Sequence, residues 1–321
     1  EAWNEQLSRI KATFRTERER RIFYTAMYHF MIAPQTWCDV SGDYMGADLK
    51  VHRGAKYEML TTWSLWDTYR AAHPLATIIM PDRMPDYAKT MMAIFREHGE
   101  LPMWHLTSNE TYCMVGEPGI PVLADMILKN ECGDINLKEA YEAMKASLLP
   151  TEYSEVHRLP LRGKDYLAHL GFLPYDGREG ETVAKNLEYY LASWAVAQVA
   201  GRLGYKQDSI RFYNLSQNYR KLWDQRVKCM RAIDSKGNLR PLPQDFNPQF
   251  QTGDYTEGNP WQYAFLVPHD VNGLAELMGG KDSLNAHLDA LLNAPSDLGD
   301  NHNPDISGLI GQYAHGNEPS H

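Results

Sequence analysis

The sequence predicts an all-α chain whose helices pair around a common centre, with long ordered loops gathered over one end. Three observations lead there. Apolar residues recur at spacings of three and four along most of the chain, and the alternation expected of strands is scarce. The connections 34–57, 99–118, 150–181, 232–259 and 294–318 are rich in Gly, Pro, Asp and Asn, yet they keep Trp, Tyr and Phe. Loops of that length are uncommon in compact domains unless they are functional or disordered, and disordered segments usually lack aromatics.

Taken in order, Leu7, Ile10 and Phe14, then Ile22, Phe23, Met27 and Phe30, fall at helical spacing. Further helices are expected over 61–79, 82–98 and 119–131. Asn136 followed by Glu139 is the pattern of a capping box and opens a helix to about Leu149. Val183, Leu187, Tyr190, Leu191 and Trp194 mark a helix with one buried face, and 206–230, 260–278 and 281–293 complete the series. There is no repeat of fixed period and no linker that divides the chain, so one domain is expected.

Composition narrows the function. The 321 residues are 43% hydrophobic and 11% aromatic, ample for a buried core. A net charge of −9 argues against a nucleic-acid surface. The one Arg-rich run, Arg15 to Arg21, reads as a solvated helix face. No apolar stretch reaches the roughly 18 residues of a membrane-spanning helix. The four cysteines lie far apart with no C-x-x-C pair, so a zinc site is not expected.

Four polar-aromatic segments carry candidate chemistry. In Trp63-Ser-Leu-Trp66-Asp67-Thr-Tyr69-Arg70, an indole face beside Asp67 and Arg70 suits a sugar ring, and equally suits a buried Trp beside a structural ion pair. Leu101-Pro-Met-Trp104-His105 is followed by Ser108-Asn109-Glu110-Thr111, where Asn109 and Glu110 either bind substrate or belong to a helix cap. In Gly253-Asp-Tyr-Thr-Glu257-Gly-Asn-Pro260, the Glu257 carboxyl group stands just before a helix that Pro260 can start. Partly dehydrated between aromatics, such a group serves as a general acid, and otherwise it is a surface glutamate. Finally, Tyr313-Ala-His-Gly-Asn-Glu-Pro-Ser-His321 concentrates His315, Asn317 and Glu318 on one short loop.

Together, Ser64-Leu-Trp-Asp-Thr-Tyr-Arg70, His73-Pro-Leu75, Tyr255-Thr-Glu-Gly-Asn259, Trp261-Gln-Tyr263, Val267-Pro-His-Asp270 and Gly311-Gln-Tyr-Ala-His-Gly-Asn-Glu-Pro-Ser-His321 resemble glycoside hydrolase family 92, the calcium-dependent exo-acting alpha-mannosidases. The resemblance runs from about Arg21 to His321. It implies an (α/α)6 barrel, incomplete here at its C-terminal end and lacking the family's N-terminal β-sandwich domain. It also implies inverting hydrolysis of terminal alpha-mannosides in N-glycan-type substrates, assisted by Ca2+, by a periplasmic or extracellular enzyme. By the same resemblance Glu257 corresponds to the general acid. Trp66, Asp67 and Arg70 correspond to a mannose-contacting segment, and His315, Asn317 and Glu318 to a loop that shapes the sugar and calcium site, with Asn317 and Glu318 as metal ligands. Asn109 and Glu110 join the substrate-binding candidates on residue type alone.

The family's general base belongs to a Gly-Asn-Asp-Asp-like segment that these 321 residues do not contain, so the chain by itself is expected to be nearly inactive. Val115-Gly-Glu-Pro-Gly-Ile-Pro121 also departs from the family's His-containing version, which leaves linkage preference open. The residues alone leave two alternatives standing: a helical carbohydrate-binding protein without turnover, and another (α/α)6 glycosidase or a polysaccharide lyase. A lyase needs a proton-abstracting constellation, whereas a glycosidase needs two carboxyl groups.

Overall fold

A computed structural model describes residues 1–150, 159–250, 253–299, 306 and 308–316. Helices dominate it: α1 (Ala2–Leu7), α2 (Glu17–Ile32), α3 (Leu65–Thr68), α4 (Ala72–Ile79), α5 (Met84–His98), α6 (Gly119–Lys129), α7 (Leu137–Leu148), α8 (Lys164–Leu170), α9 (Thr182–Arg202), α10 (Lys206–Ser216), α11 (Pro260–Tyr263), α12 (Val271–Met278) and α13 (Lys281–Asn293). The strands are two-residue antiparallel pairs: β1 (Gln35–Thr36) with β4 (Leu60–Thr61), β2 (Tyr44–Met45) with β3 (Val51–His52), β5 (His105–Leu106) with β6 (Asn109–Glu110), and β7 (Trp223–Asp224) with β8 (Cys229–Met230). The predicted all-α class holds, and short hairpins order the connections 34–57 and 99–118, while 150–181 contains α8.

Helix α9 is the hub and packs against α6, α7 and α10. Its sequence explains why. Alanines at 184, 192, 195, 197 and 200 let neighbours approach on several sides, and all five are buried. The expectation of one buried face is therefore corrected: Asn186, Glu188 and Ser193, on other faces, are buried too. A helix covered all round is a central element and not a surface one. Asn186 makes this possible locally, because its amide accepts from the Leu173 N–H (2.8 Å) and donates to the Leu173 carbonyl (3.0 Å).

Several expected helices are shorter than their apolar pattern. Helix α1 ends at Leu7, and Phe14 instead packs in irregular chain on Phe23 at 5.2 Å. Ile22 is 60% exposed rather than on the buried face of α2. The stretch 61–79 contains the end of β4 and two helices, broken by Thr62 in the left-handed region (φ 64°). The 206–230 stretch becomes α10, a 3₁₀ segment and the β7–β8 hairpin, and 260–278 divides into α11 and α12. Within 61–79, 206–230 and 260–278 apolar spacing fails to mark the helix ends because it continues through the turns between elements. Asn136 does cap α7, accepting from the Lys138 and Glu139 N–H groups. The carboxylate of Glu139 turns outward to Arg96 (2.6 and 2.7 Å), however, and leaves the capping box one-armed. The Arg15–Arg21 run is solvated as expected and pairs with Glu17.

Candidate active site

Three segments distant in sequence meet at one nest of aromatic rings. The His315 imidazole lies edge-on to Trp66 (centroids 4.8 Å apart) and to Tyr263 (5.5 Å), and its Nε2 lies 3.2 Å from the Thr256 carbonyl. Arg70 stacks over the Trp66 ring at 4.6 Å. Trp66, Arg70, His315 and the Thr256–Glu257 turn are thus brought together. A cavity of about 370 Å³ opens beside them, lined by Arg70, Gln262, Tyr263, Leu288, Leu291 and His315. Its size is that of a small-molecule site, but its lining is mostly apolar, completed by Phe265, Leu266, Leu292, Ile310 and Tyr313, and Trp66, Asp67 and Glu257 are not part of it.

The loop that carries Glu257 is held from many sides. Asn259 caps α11 through the Gln262 N–H (3.0 Å) and donates to Gln312 Oε1 (2.8 Å). Pro260 starts the helix, as predicted. The Tyr263 hydroxyl donates to the Thr256 carbonyl (2.6 Å), and the Ala314 N–H donates to Gln262 Oε1 (2.5 Å). Within this frame Glu257 is half-buried and has φ of 45°, a left-handed conformation unusual for a residue with a side chain. Such strain persists only where the surroundings over-determine it, and it concentrates at functional sites.

Electrostatics separate the roles. Burial drives the His315 pKa well below its ordinary value, and the Arg70 charge lowers it further, so the ring is neutral at neutral pH. Burial opposes the charge on Arg70, but Tyr69 and Glu188 around it hold the guanidinium fully protonated. Asp67 is buried and accepts the Ser64 hydroxyl at 2.5 Å.

The Asn109–Glu110 segment is placed differently. Its hairpin adjoins the entry to α3, with the Trp63 N–H donating to the His105 carbonyl and the Leu65 N–H to the Met103 carbonyl. Asn109 is exposed at the turn. Glu110 is buried and accepts from the N–H groups of Met103 (2.9 Å), Trp104 (3.0 Å) and Tyr112 (3.1 Å), so its carboxylate folds the loop. Asn317 and Glu318 lie outside the described residues.

Glu188 is the member that sequence reading missed. It rises from the centre of α9 to meet the Tyr69 hydroxyl at 3.1 Å and Arg70 Nη2 at 3.4 Å. Gly116 admits it, since a Cβ there would stand 2.5 Å from the Glu188 Cβ. Burial raises the Glu188 pKa, against the lowering pull of Arg70, Tyr69 and Trp66. The signal was available: between Thr182 and Gly201 the only charged residues are Lys185 and Glu188. A lone carboxylate in a helix with so few charges is informative once that helix is taken as buried all round.

The glycosyl hydrolase family 92 catalytic domain model matches residues 1–321. The chain belongs to glycoside hydrolase family 92. Among solved structures, it is similar to a family GH92 alpha-mannosidase from Bacteroides thetaiotaomicron, with 35% identity over 99% of this chain and 41% of that one, at a TM-score of 0.84. A family GH92 inverting mannosidase from Bacteroides thetaiotaomicron VPI-5482 matches at 32% identity over 99% of this chain and 43% of that one, with a TM-score of 0.82. A curated relative, an uncharacterized secreted glycosidase of Arthroderma benhamiae, is 22% identical over 90% of this chain and 37% of its own length. The family 92 chain therefore spans about two fifths of the relatives it matches. Its fold is the helical catalytic fold of the two mannosidases, and among the described residues the helices do not close into a barrel. None of its described helices is long and apolar enough to cross a membrane.

Proposed function

We propose that this family 92 domain hydrolyses terminal alpha-mannosidic linkages in mannose-containing glycans by a single displacement with inversion. The observation that carries the reading is the nest in which Trp66, Arg70 and His315 meet the strained Glu257 turn beside an open cavity. The Trp66 segment and Asp67 receive the sugar, and Arg70, fixed by Glu188, orients its hydroxyl groups. Neutral His315 shapes the ring's edge and adds no charge. Glu257 gives its proton to the glycosidic oxygen as the bond to the anomeric carbon breaks, while a water attacks from the opposite face. A second carboxyl group, about 6.5–9.5 Å from the acid in inverting enzymes, takes that water's proton.

Calcium is part of the proposal through Asn317 and Glu318, whose amide and carboxylate oxygens suit a hard cation. When bound, it supplies a fixed positive charge to the sugar hydroxyl groups. The indole, imidazole and guanidinium of the nest do not suit calcium, and its oxygen donors are the Thr256 carbonyl and the Glu257 carboxyl group. We also propose export from the cytoplasm, supported by the secreted label of the fungal relative.

The test is Glu257→Gln in the protein that carries both carboxyl groups, assayed on mannosides with good and poor leaving groups. Loss of a general acid costs about 10²–10⁴ in rate on the poor leaving group, and much less where the leaving group needs no proton. Equal slowing of both substrates would remove Glu257 from this role.

A further inference from the structure

A second convergence of side chains lies apart from the aromatic nest, where the β2–β3 hairpin meets the last turn of α5. Asp48, His52 and Glu97 each offer a ligand atom, and these atoms all fall within 4.8 Å of one another. His52 Nε2 is 3.0 Å from Asp48 Oδ1 and 3.6 Å from Glu97 Oε1. Ligands of a tetrahedral zinc ion at about 2.0–2.2 Å stand about 3.4 Å apart, so two of the three edges are near their bound length.

The surroundings hold these atoms in place. Glu97 accepts the Tyr44 hydroxyl on Oε1 (2.7 Å) and the Ala47 N–H on Oε2 (2.9 Å). Asp48 accepts the Lys50 N–H at 3.0 Å, and the His52 ring stacks on Tyr44 with centroids 5.1 Å apart. Oriented carboxylates of this kind are the usual support of a metal centre. Gly46 keeps the space between the ligands open, because a Cβ there would lie 2.6 Å from His52 Nε2 and 2.8 Å from Asp48 Oδ1. Charge points the same way: one imidazole brings the two carboxylates at most a single positive charge, and a dication brings two. The Lys50 ammonium, 3.4 Å from the other Asp48 oxygen, is on an exposed side chain free to move aside.

We propose that Asp48, His52 and Glu97 bind a transition-series dication of the zinc class, which ties the hairpin to the end of α5. A mixed imidazole–carboxylate set suits such an ion better than calcium or magnesium. Water completes the coordination.

The experiment titrates zinc chloride into chelator-stripped protein by calorimetry. One zinc per chain is expected, with affinity falling at least about 10-fold in Asp48→Asn and in His52→Ala. Gly46→Ala, which puts a methyl group between the ligands, should weaken binding likewise. His169→Ala, at an exposed position, should leave it unchanged. Circular dichroism checks that each variant is folded. X-ray absorption of the zinc-loaded wild type should report one imidazole and carboxylate oxygens, and it decides the matter if a variant does not fold. Absence of binding, affinity unmoved by both ligand variants, or a shell containing sulfur or several imidazoles would overturn the assignment.

Discussion

Arg70→Met keeps much of the length of the side chain and removes its charge, leaving Glu188 buried without its cation. The two groups lie 3.4 Å apart, and their side chains are 13% and 2% exposed. At an effective dielectric constant near 20 the lost attraction is about 5 kcal/mol. Removing one partner of a buried pair costs about 3–5 kcal/mol in practice, and the lower half of that range applies here because Tyr69 and Trp66 still face the carboxylate. Its pH dependence has a definite sign. The folded Glu188 pKa is raised by burial, so its contribution to stability is fully present below the unfolded value and is lost as pH rises through the folded one. Without Arg70 the carboxylate is harder still to ionise, so the penalty should be small at acid pH and grow towards neutrality. Urea unfolding of wild type, Arg70→Met and Arg70→Met/Glu188→Gln at pH 5 and pH 8 measures it. The double variant, with no buried charge left, should recover at least half of the loss. A penalty below about 1 kcal/mol at pH 8, or one equal at both pH values, would show that Glu188 does not depend on Arg70.

Gly116→Ala should destabilise by about 1–3 kcal/mol, measured by the same unfolding, because the methyl group meets Glu188 and the backbone is left-handed at φ 82°. A change under a few tenths of a kcal/mol would mean that α9 shifts freely at that point. Glu117, buried with Lys164 at 2.7 Å and Arg162 at 3.2 Å, has its pKa pushed up to about 7, first by burial, with Glu100 adding to it and the two cations opposing. Its contribution to stability is present below the ordinary carboxylate value and lost as pH rises through about 7, so Glu117→Gln should flatten the fall in Tm between pH 5 and pH 7. Parallel profiles for wild type and variant would refute that.

What the sequence revealed and what it concealed follow from the reach of the interactions involved. Helix α5 was legible almost to the residue, because its apolar face is continuous and it ends at Gly99 in the left-handed region (φ 108°). The Asn136 cap was legible because it acts across three residues. Trp66, Glu257 and His315 could be singled out by type, but their convergence depends on contacts spanning many turns of chain, and only the family resemblance anticipated it. Glu110 shows the opposite error. Its residue type suggested substrate contact, whereas its carboxylate is engaged by three backbone amides of its own hairpin. Local pattern does not tell a carboxylate that faces a cavity from one that closes a loop. Glu188 stayed hidden because one helical period, taken to mean one buried face, assigned its position to solvent.

The Glu257 turn connects the packing to the chemistry. A residue with a side chain held at positive φ costs about 1–3 kcal/mol, and here the neighbouring contacts sustain it. Three of those contacts join two segments, the imidazole of His315 beside the Thr256 carbonyl, Ala314 on Gln262, and Asn259 on Gln312, and the Tyr263 hydroxyl on Thr256 closes the first segment on itself. Segments 253–263 and 311–316 therefore cannot shift independently of one another, and the Trp66–His315 ring contact binds the α3 segment to both. A general acid gains most when its carboxyl group is fixed before the substrate arrives, since orientation already set in the fold need not be imposed at the moment of reaction. The strain at Glu257 is thus better understood as the consequence of three segments fixing one residue than as a local defect. On the proposed reading it also explains why the residues assigned to the sugar are dispersed from Trp66 to His315: a nest locked from three directions needs three separate pieces of chain.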